Sequence, residues 1–159
     1  MTTERILNAA HGYFELGMPI EAAAEIEKLP PELRADTQVL MLRHMIYKLA
    51  ESWKLAAEVG REITSREPKS PEWWLHYAYA VRRSEGFAAA KNALLEAERI
   101  LPDEGSVHFD LACYSCLLGE LDEAKRRIST AIHFDSTYKS KALDDVDLEP
   151  LWENIASIR

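Results

Sequence analysis

Apolar residues along this chain fall at helical spacing, three and four apart, in eight stretches broken by short polar or turn-forming segments. That spacing gathers them on one face of a helix, whereas a half-buried strand would show strict alternation. It predicts helices near 4–16 and 19–29, 37–50 and 53–66, 71–84 and 87–100, and 105–118 and 121–134. Several starts carry their own signals. Asp36 or Thr37 suits the N-cap of the third helix, and Ser70-Pro71-Glu72 joins an N-cap, a first-turn proline and an acid that complements the helix dipole. The two prolines of Leu29-Pro30-Pro31-Glu32-Leu33 predict an extended exit from the second helix. Near the end, Leu148, Leu151, Trp152, Ile155 and Ile158 form one more apolar stripe. It predicts a terminal helix with Asp147 as its cap and Pro150 in its first turn.

The helices repeat. Alanine occurs at 22, 56, 90 and 124, evenly spaced. Two helices approach closely only where one offers a small side chain, so the alanines mark one such crossing per unit. Other slots agree at the same period: Ile6, Leu40, Trp74 and His108 share one, and Ala10, His44, Ala78 and Ala112 another. Tyr13, Tyr47, Val81 and Ser115 share a third, and Ile26, Gly60, Leu94 and Ile128 a fourth.

Against the pattern W-x2-L-G-x2-Y…A-x3-F…P, the third stretch keeps Trp74, Ala90 and Pro102. The fourth keeps Leu111, Ala112 and Ala124, with Gly119 at the turn. On these residues and on their common spacing the chain resembles the tetratricopeptide repeat family over about residues 3–136. It departs at Arg43 and His44, where leucine and a small residue are usual, and at Arg34 and Ser136, which replace the closing proline. The resemblance implies an all-α, right-handed α-solenoid of about four helix-turn-helix pairs (about 3–36, 37–70, 71–104 and 105–136). A C-terminal capping helix segment, 137–159, would cover the last repeat, as such stacks require. Tyr77-Ala78-Tyr79-Ala80, Leu111-Ala112-Cys113-Tyr114 and the ending 142–152 look like a group of bacterial repeat proteins, which implies a bacterial source and adds no activity.

Stacked helix pairs offer a long surface and no catalytic pocket, so the expected function is a protein-interaction scaffold. In that geometry one stripe of each first helix faces its partner and the stripe about 100° further round faces the concave side. The candidate binding groove is therefore Leu7, His11, Met41, Leu42, Met45, Leu75, His76, Tyr79, Phe109 and Cys113. Met is pliable and Tyr brings area with a hydroxyl, which suits a surface that receives a peptide or helix. The competing reading of these slots is packing between neighbouring repeats. Lys48, Arg82 and Arg83 form a candidate charged rim. The family's clamp for chain-terminal carboxylates is not reproduced, since Leu7, His11, Leu42, Glu72 and His76 occupy its positions.

Composition narrows the partners. A net charge of −8 over 159 residues argues against a nucleic-acid ligand, which calls for clustered Lys and Arg. No apolar run approaches the roughly 18 residues of a membrane span, and the opening Met1-Thr2-Thr3-Glu4-Arg5-Ile6 lacks signal-peptide character, so the expected address is cytoplasmic. Cys113 and Cys116 form a lone C-x-x-C; structural zinc wants four ligands, so no metal site, cofactor or redox role is expected. The histidines form no H-E-x-x-H, and there is neither a nucleophile elbow nor a phosphate-binding glycine loop, so no enzyme is expected. Two other readings compete with the adaptor: a secretion-type chaperone that covers apolar client segments, and a structural module that dimerises through its terminal helices.

Overall fold

Ala22, Ala56, Ala90 and Ala124 have no exposed surface. The crossings they were expected to mark are closed. The computed structural model describes every residue, Met1–Arg159, as helices and turns without a strand. Four helix pairs follow one another: α1 (Thr3–Glu15) with α2 (Pro19–Ile26), α4 (Thr37–Leu49) with α5 (Trp53–Arg66), α6 (Pro71–Glu85) with α7 (Phe87–Ile100), and α8 (Gly105–Leu117) with α9 (Leu121–Phe134). Between the first two pairs lies one helical turn, α3 (Pro31–Arg34). After the fourth come α10 (Tyr138–Asp144), a 3-10 segment (Val146–Leu151) and α11 (Trp152–Ala156).

The caps explain several boundaries. Thr2 Oγ1 accepts from the Arg5 amide at 3.3 Å, and Asp36 Oδ1 from the Gln38 amide at 3.0 Å, each satisfying an orphan N–H of a first turn. Ser70 holds the expected N-cap position of α6 but makes no side-chain capping bond. Within the pairs, Gly17 and Gly119 turn the chain with φ of +70° and +80°. One period after Gly17 the matching position is Glu51, which adopts φ +55° despite its side chain.

Two expectations need correction. The connection after α2 is extended only at Pro30 (φ −55°, ψ 149°), because Pro31 is preset for a helix and opens α3. The terminal stripe is not a single α-helix capped by Asp147. Asp145 is the cap, accepting from the Asp147 amide at 3.0 Å, and Pro150, which lacks an N–H, sits within a 3-10 segment that precedes α11.

The chain forms two compact units, Met1–Glu67 and Pro68–Arg159, although no Gly- or Ser-rich linker separates them. The first unit packs Ile6, Ala10, Ala22, Ile26, Leu29, Val39, Leu42 and Ile46 into one core. His44 stands in a slot usually held by a small residue, and its Nδ1 is 2.9 Å from the Ala56 carbonyl, which accepts its proton.

The second unit packs Phe109, Ala112, Ala124, Ile128 and Ala131 with Ala142, Leu148, Leu151 and Ile155 from the C-terminal segment. A polar interaction recurs here with the period. Trp74 Nε1 donates to the Pro68 carbonyl at 2.9 Å, and His108 Nε2, one period later, donates to the Pro102 carbonyl at 2.7 Å. With its proton on Nε2, His108 accepts at Nδ1 from Arg127 Nη1 at 3.2 Å, and Arg127, buried, also pairs with Glu98.

Candidate functional site

The first helices position the predicted groove residues, but only some of those residues reach the surface. In the first unit Leu7, Met41 and Met45 are half-buried and His11 is exposed. Leu42 belongs to that unit's core. In the second unit Leu75, His76 and Tyr79 on α6 are half-buried. Tyr79 Oη accepts from Arg83 Nη1 at 3.4 Å, and His76 Nε2 lies 3.6 Å from Glu72. Phe109 and Cys113 on α8 are 2% and 5% exposed. These two, with Leu42, are corrections: none presents a free side chain. Leu42 turns into its own core, and Phe109 and Cys113 lie beneath residues that follow the last repeat.

What covers α8 is the C-terminal segment. Leu148, Leu151 and Ile155 join Phe109, Cys113 and Cys116 in one buried cluster. Tyr138 stacks on Phe109 with ring centroids 5.2 Å apart, and a Cβ added at Gly105 would come within 2.8 Å of the same tyrosine. Trp152 Nε1 donates to the carbonyls of Ala142 (3.0 Å) and Asp145 (3.2 Å), folding the segment back on itself. A Lys91 ammonium held by Glu120 and Glu123 ties α7 to the start of α9.

Polar groups line the seam between segment and helices. Arg82 Nη1 reaches Asp147 Oδ2 at 3.4 Å, and its guanidinium carbon stands 4.9 Å from the Phe87 ring centroid. Arg82 is thus spent inside its unit, not standing free as a rim charge. Arg83 is exposed in the same unit, and Lys48 is half-buried in the first. Cys113 Sγ donates to Asp145 Oδ2 at 3.7 Å. Burial pushes the Cys113 thiol far up, with Asp145, Asp110 and Asp147 adding to the effect. Burial likewise pushes Asp110 up to about 6; Lys141 and Arg82 pull it down, while Asp145 and Asp147 reinforce the rise. The Tyr114 hydroxyl is raised mainly by burial as well. Such a thiol is a poor nucleophile, because the thiolate is the reactive form.

The seam was only half visible beforehand. The stripe through Leu148 and Leu151 signals burial, but no spacing rule brings Asp110, Lys141, Asp145 and Asp147 together. The only available signal was the acidic run from Asp144 to Asp147 following the repeats.

The eight paired helices, the buried alanine at each crossing and the proline-carbonyl bond recurring from Trp74 to His108 decide the architecture. The chain has the tetratricopeptide-repeat fold.

Solved structures of this fold superpose on it. A crystal structure of MamA matches with a TM-score of 0.71 at 15% identity, covering 92% of this chain and 84% of the other. MamA from Desulfovibrio magneticus RS-1 (residues 41 to the end) matches at 0.70 and 13% identity, covering 96% and 88%. A thermophilic TPR protein in Thermus thermophilus matches at 0.59 and 18% identity, covering 99% and 100%. No protein-family model matches the sequence, and no curated protein sequence matches it significantly. No helix of this tetratricopeptide-repeat chain is long and apolar enough to cross a membrane.

Proposed function

We propose that this protein is a binding scaffold for short segments of another protein, received within each unit on the first-helix faces of its helix pairs. The residues that would make contact are Leu7, His11, Met41 and Met45 in the first unit, and Leu75, His76 and Tyr79 in the second. The observation that carries this reading is the seat of residues 146–151. The chain's own 3-10 segment lies on the first-helix face of the last pair, with Leu148 and Leu151 buried and Asp147 on Arg82. A face of this kind thus accommodates two leucines and an acid from a non-repeat segment. Each such apolar anchor contributes roughly 1.5–3 kcal/mol before the costs of association. Met41 and Met45 are suited to segments of varied shape because their side chains are unbranched and flexible. We assign the chain no catalytic step and no cofactor.

A photo-crosslinking amino acid placed at Met45 or Tyr79, and at the exposed control position Asp122, tests this in the native host. Adducts to a discrete partner are expected from Met45 and Tyr79 and not from the control. Tyr79→Ser and Met45→Gln should then weaken capture of that partner by tenfold or more while shifting stability by no more than about 0.5 kcal/mol. Equal labelling at all three positions would refute the reading. So would a loss of about 2 kcal/mol or more in both variants, which signals packing residues.

A further inference from the structure

The edge of the first unit where its two helix pairs turn back carries apolar side chains that the repeat does not require. Leu16 and Ile20 flank the turn between α1 and α2; they are 74% and 78% exposed, and only Met1 among the large apolar residues is more open to water. Leu49 and Leu55 flank the turn between α4 and α5 and are exposed as well. The fold sets the two turns side by side. α2 runs antiparallel to α4: Glu27 lies 3.9 Å from Arg43, and one helical turn further along each, Ala23 and Tyr47 line one small enclosed cavity. Continuing that pairing by another turn places Ile20 beside Ala50 and Glu51. At the slot of Ile20 the later pairs carry Lys54, Ala88 and Asp122, and at the slot of Leu55 the others carry Glu21, Ala89 and Glu123, so the packing of the repeat has no need of an apolar residue at either. Single exposed leucines are ordinary on a protein surface, but four gathered at one edge form a contiguous patch, and such a patch marks a contact site.

Charge identifies what covers the patch. Glu15, Glu21 and Glu51 surround it, all exposed, against one exposed cation, Lys54, with Lys48 half-buried nearby. Glu51 holds its place against backbone strain. It is the one non-glycine residue with positive φ, at the slot where Gly17 and Gly119 make the corresponding turns. A carboxylate kept where glycine would relax the backbone shows that charge at this tip matters. A second copy would bring the same acidic rim and be repelled, and an anionic membrane surface would be repelled too. We propose that this edge docks a segment of a partner protein in which apolar side chains are interleaved with lysines or arginines. Its apolar anchors would cover Leu16, Ile20, Leu49 and Leu55, and its cations would meet Glu15, Glu21 and Glu51 around the rim. None of these residues belongs to the first-helix faces proposed above, so the two readings stand or fall separately.

The test follows the backbone amides of the full chain by NMR during titration with a synthetic helical peptide of leucines and lysines, and with its counterpart in which glutamates replace the lysines. Saturable shifts confined to the amides of 15–21 and 49–55 are expected with the lysine peptide and not with the glutamate one, and they should weaken as salt is added. Ile20→Ser should reduce affinity roughly tenfold or more with an unchanged thermal melt, because the side chain it replaces is exposed. Glu51→Gly should reduce affinity by about threefold while leaving the fold at least as stable, a pair of effects that a purely structural role would not produce. No saturable binding, equal binding of the two peptides, shifts centred elsewhere, or affinity that survives either substitution overturns the proposal. So do shifts of the same amides on raising the protein concentration alone, or on adding phosphatidylglycerol vesicles, which would give the edge to a second copy or to a membrane.

Discussion

Replacing Asp110 by asparagine should make the protein more stable at neutral pH, by an amount that shrinks as the solution is acidified. Asp110 is half-buried on α8 beside the charged groups of the C-terminal segment, and desolvation pushes its carboxyl from 3.8 up to about 6 despite the pull of Lys141 and Arg82. The folded chain therefore holds a proton that the unfolded chain has released between those two values. With a raised folded pKa, the group's full contribution is present below pH 3.8 and is lost as pH rises through about 6. Holding the carboxylate charged in that seat costs about 3 kcal/mol at pH 7.5, falling to about 1 kcal/mol at pH 4.5, at about 1.36 kcal/mol per pKa unit. Asparagine keeps the shape, removes the charge and gives up the attraction to Lys141 and Arg82 already counted in the net cost. Guanidinium denaturation of both proteins from pH 4.5 to 7.5, followed by tryptophan fluorescence, measures the difference at each pH. Comparing the pair cancels the remaining carboxylates. The expected signature is a gain for Asp110→Asn that grows by about 2 kcal/mol across the range. A difference flat with pH, or a less stable variant at pH 7.5, would refute the reasoning.

Other outcomes follow from single contacts. Ala90→Leu, at a crossing with no exposed surface, should cost about 1–3 kcal/mol by overpacking, and an unchanged thermal melt would contradict the register. Glu51→Gly should raise stability by up to about 1 kcal/mol in the same assay, since Glu51 occupies the left-handed region that Gly17 and Gly119 fill in the first and last pairs. Cys113 and Cys116 are both buried free thiols. They should react with a chromogenic disulfide reagent only after denaturation, and rapid labelling of native protein would mean that the C-terminal segment is not seated as described.

The helix pairs were legible because their determinants are local and repeated. The period from Ala22 to Ala124 registers every pair, and Asp36 and Pro71 fix helix starts through bonds or ring constraints that span a few residues. Departures from the pattern were visible too, at Arg34, Arg43 and His44, but their partners were not. Glu27 comes to Arg34 and Arg43 through the three-dimensional path of the chain, which no spacing rule encodes. The terminal segment shows the same division. Its stripe, Leu148 to Ile155, announced burial correctly, while the break at Pro150 and the transfer of the cap to Asp145 depended on competition between α and 3-10 bonding. Leu42, Phe109 and Cys113 were misplaced for a related reason: periodicity gives the face of a helix a residue occupies, and not what comes to lie over that face.

The seating of α10 and α11 against α9 bears on how copies of this chain can associate. Filaments grow when the tail surface of one subunit matches the head surface of the next without closing a ring. For stacked helix pairs the natural tail surface is the outer side of the last pair, ready to take the first helix of a following molecule as it would take a fifth pair. Here α10 and α11 lie against α9, with Ala142 and Ile155 buried there. Association of a second copy over this side of α9 would first have to lift α10 and α11 away and expose Ala142 and Ile155 to water, so the chain's own segment competes with any such neighbour.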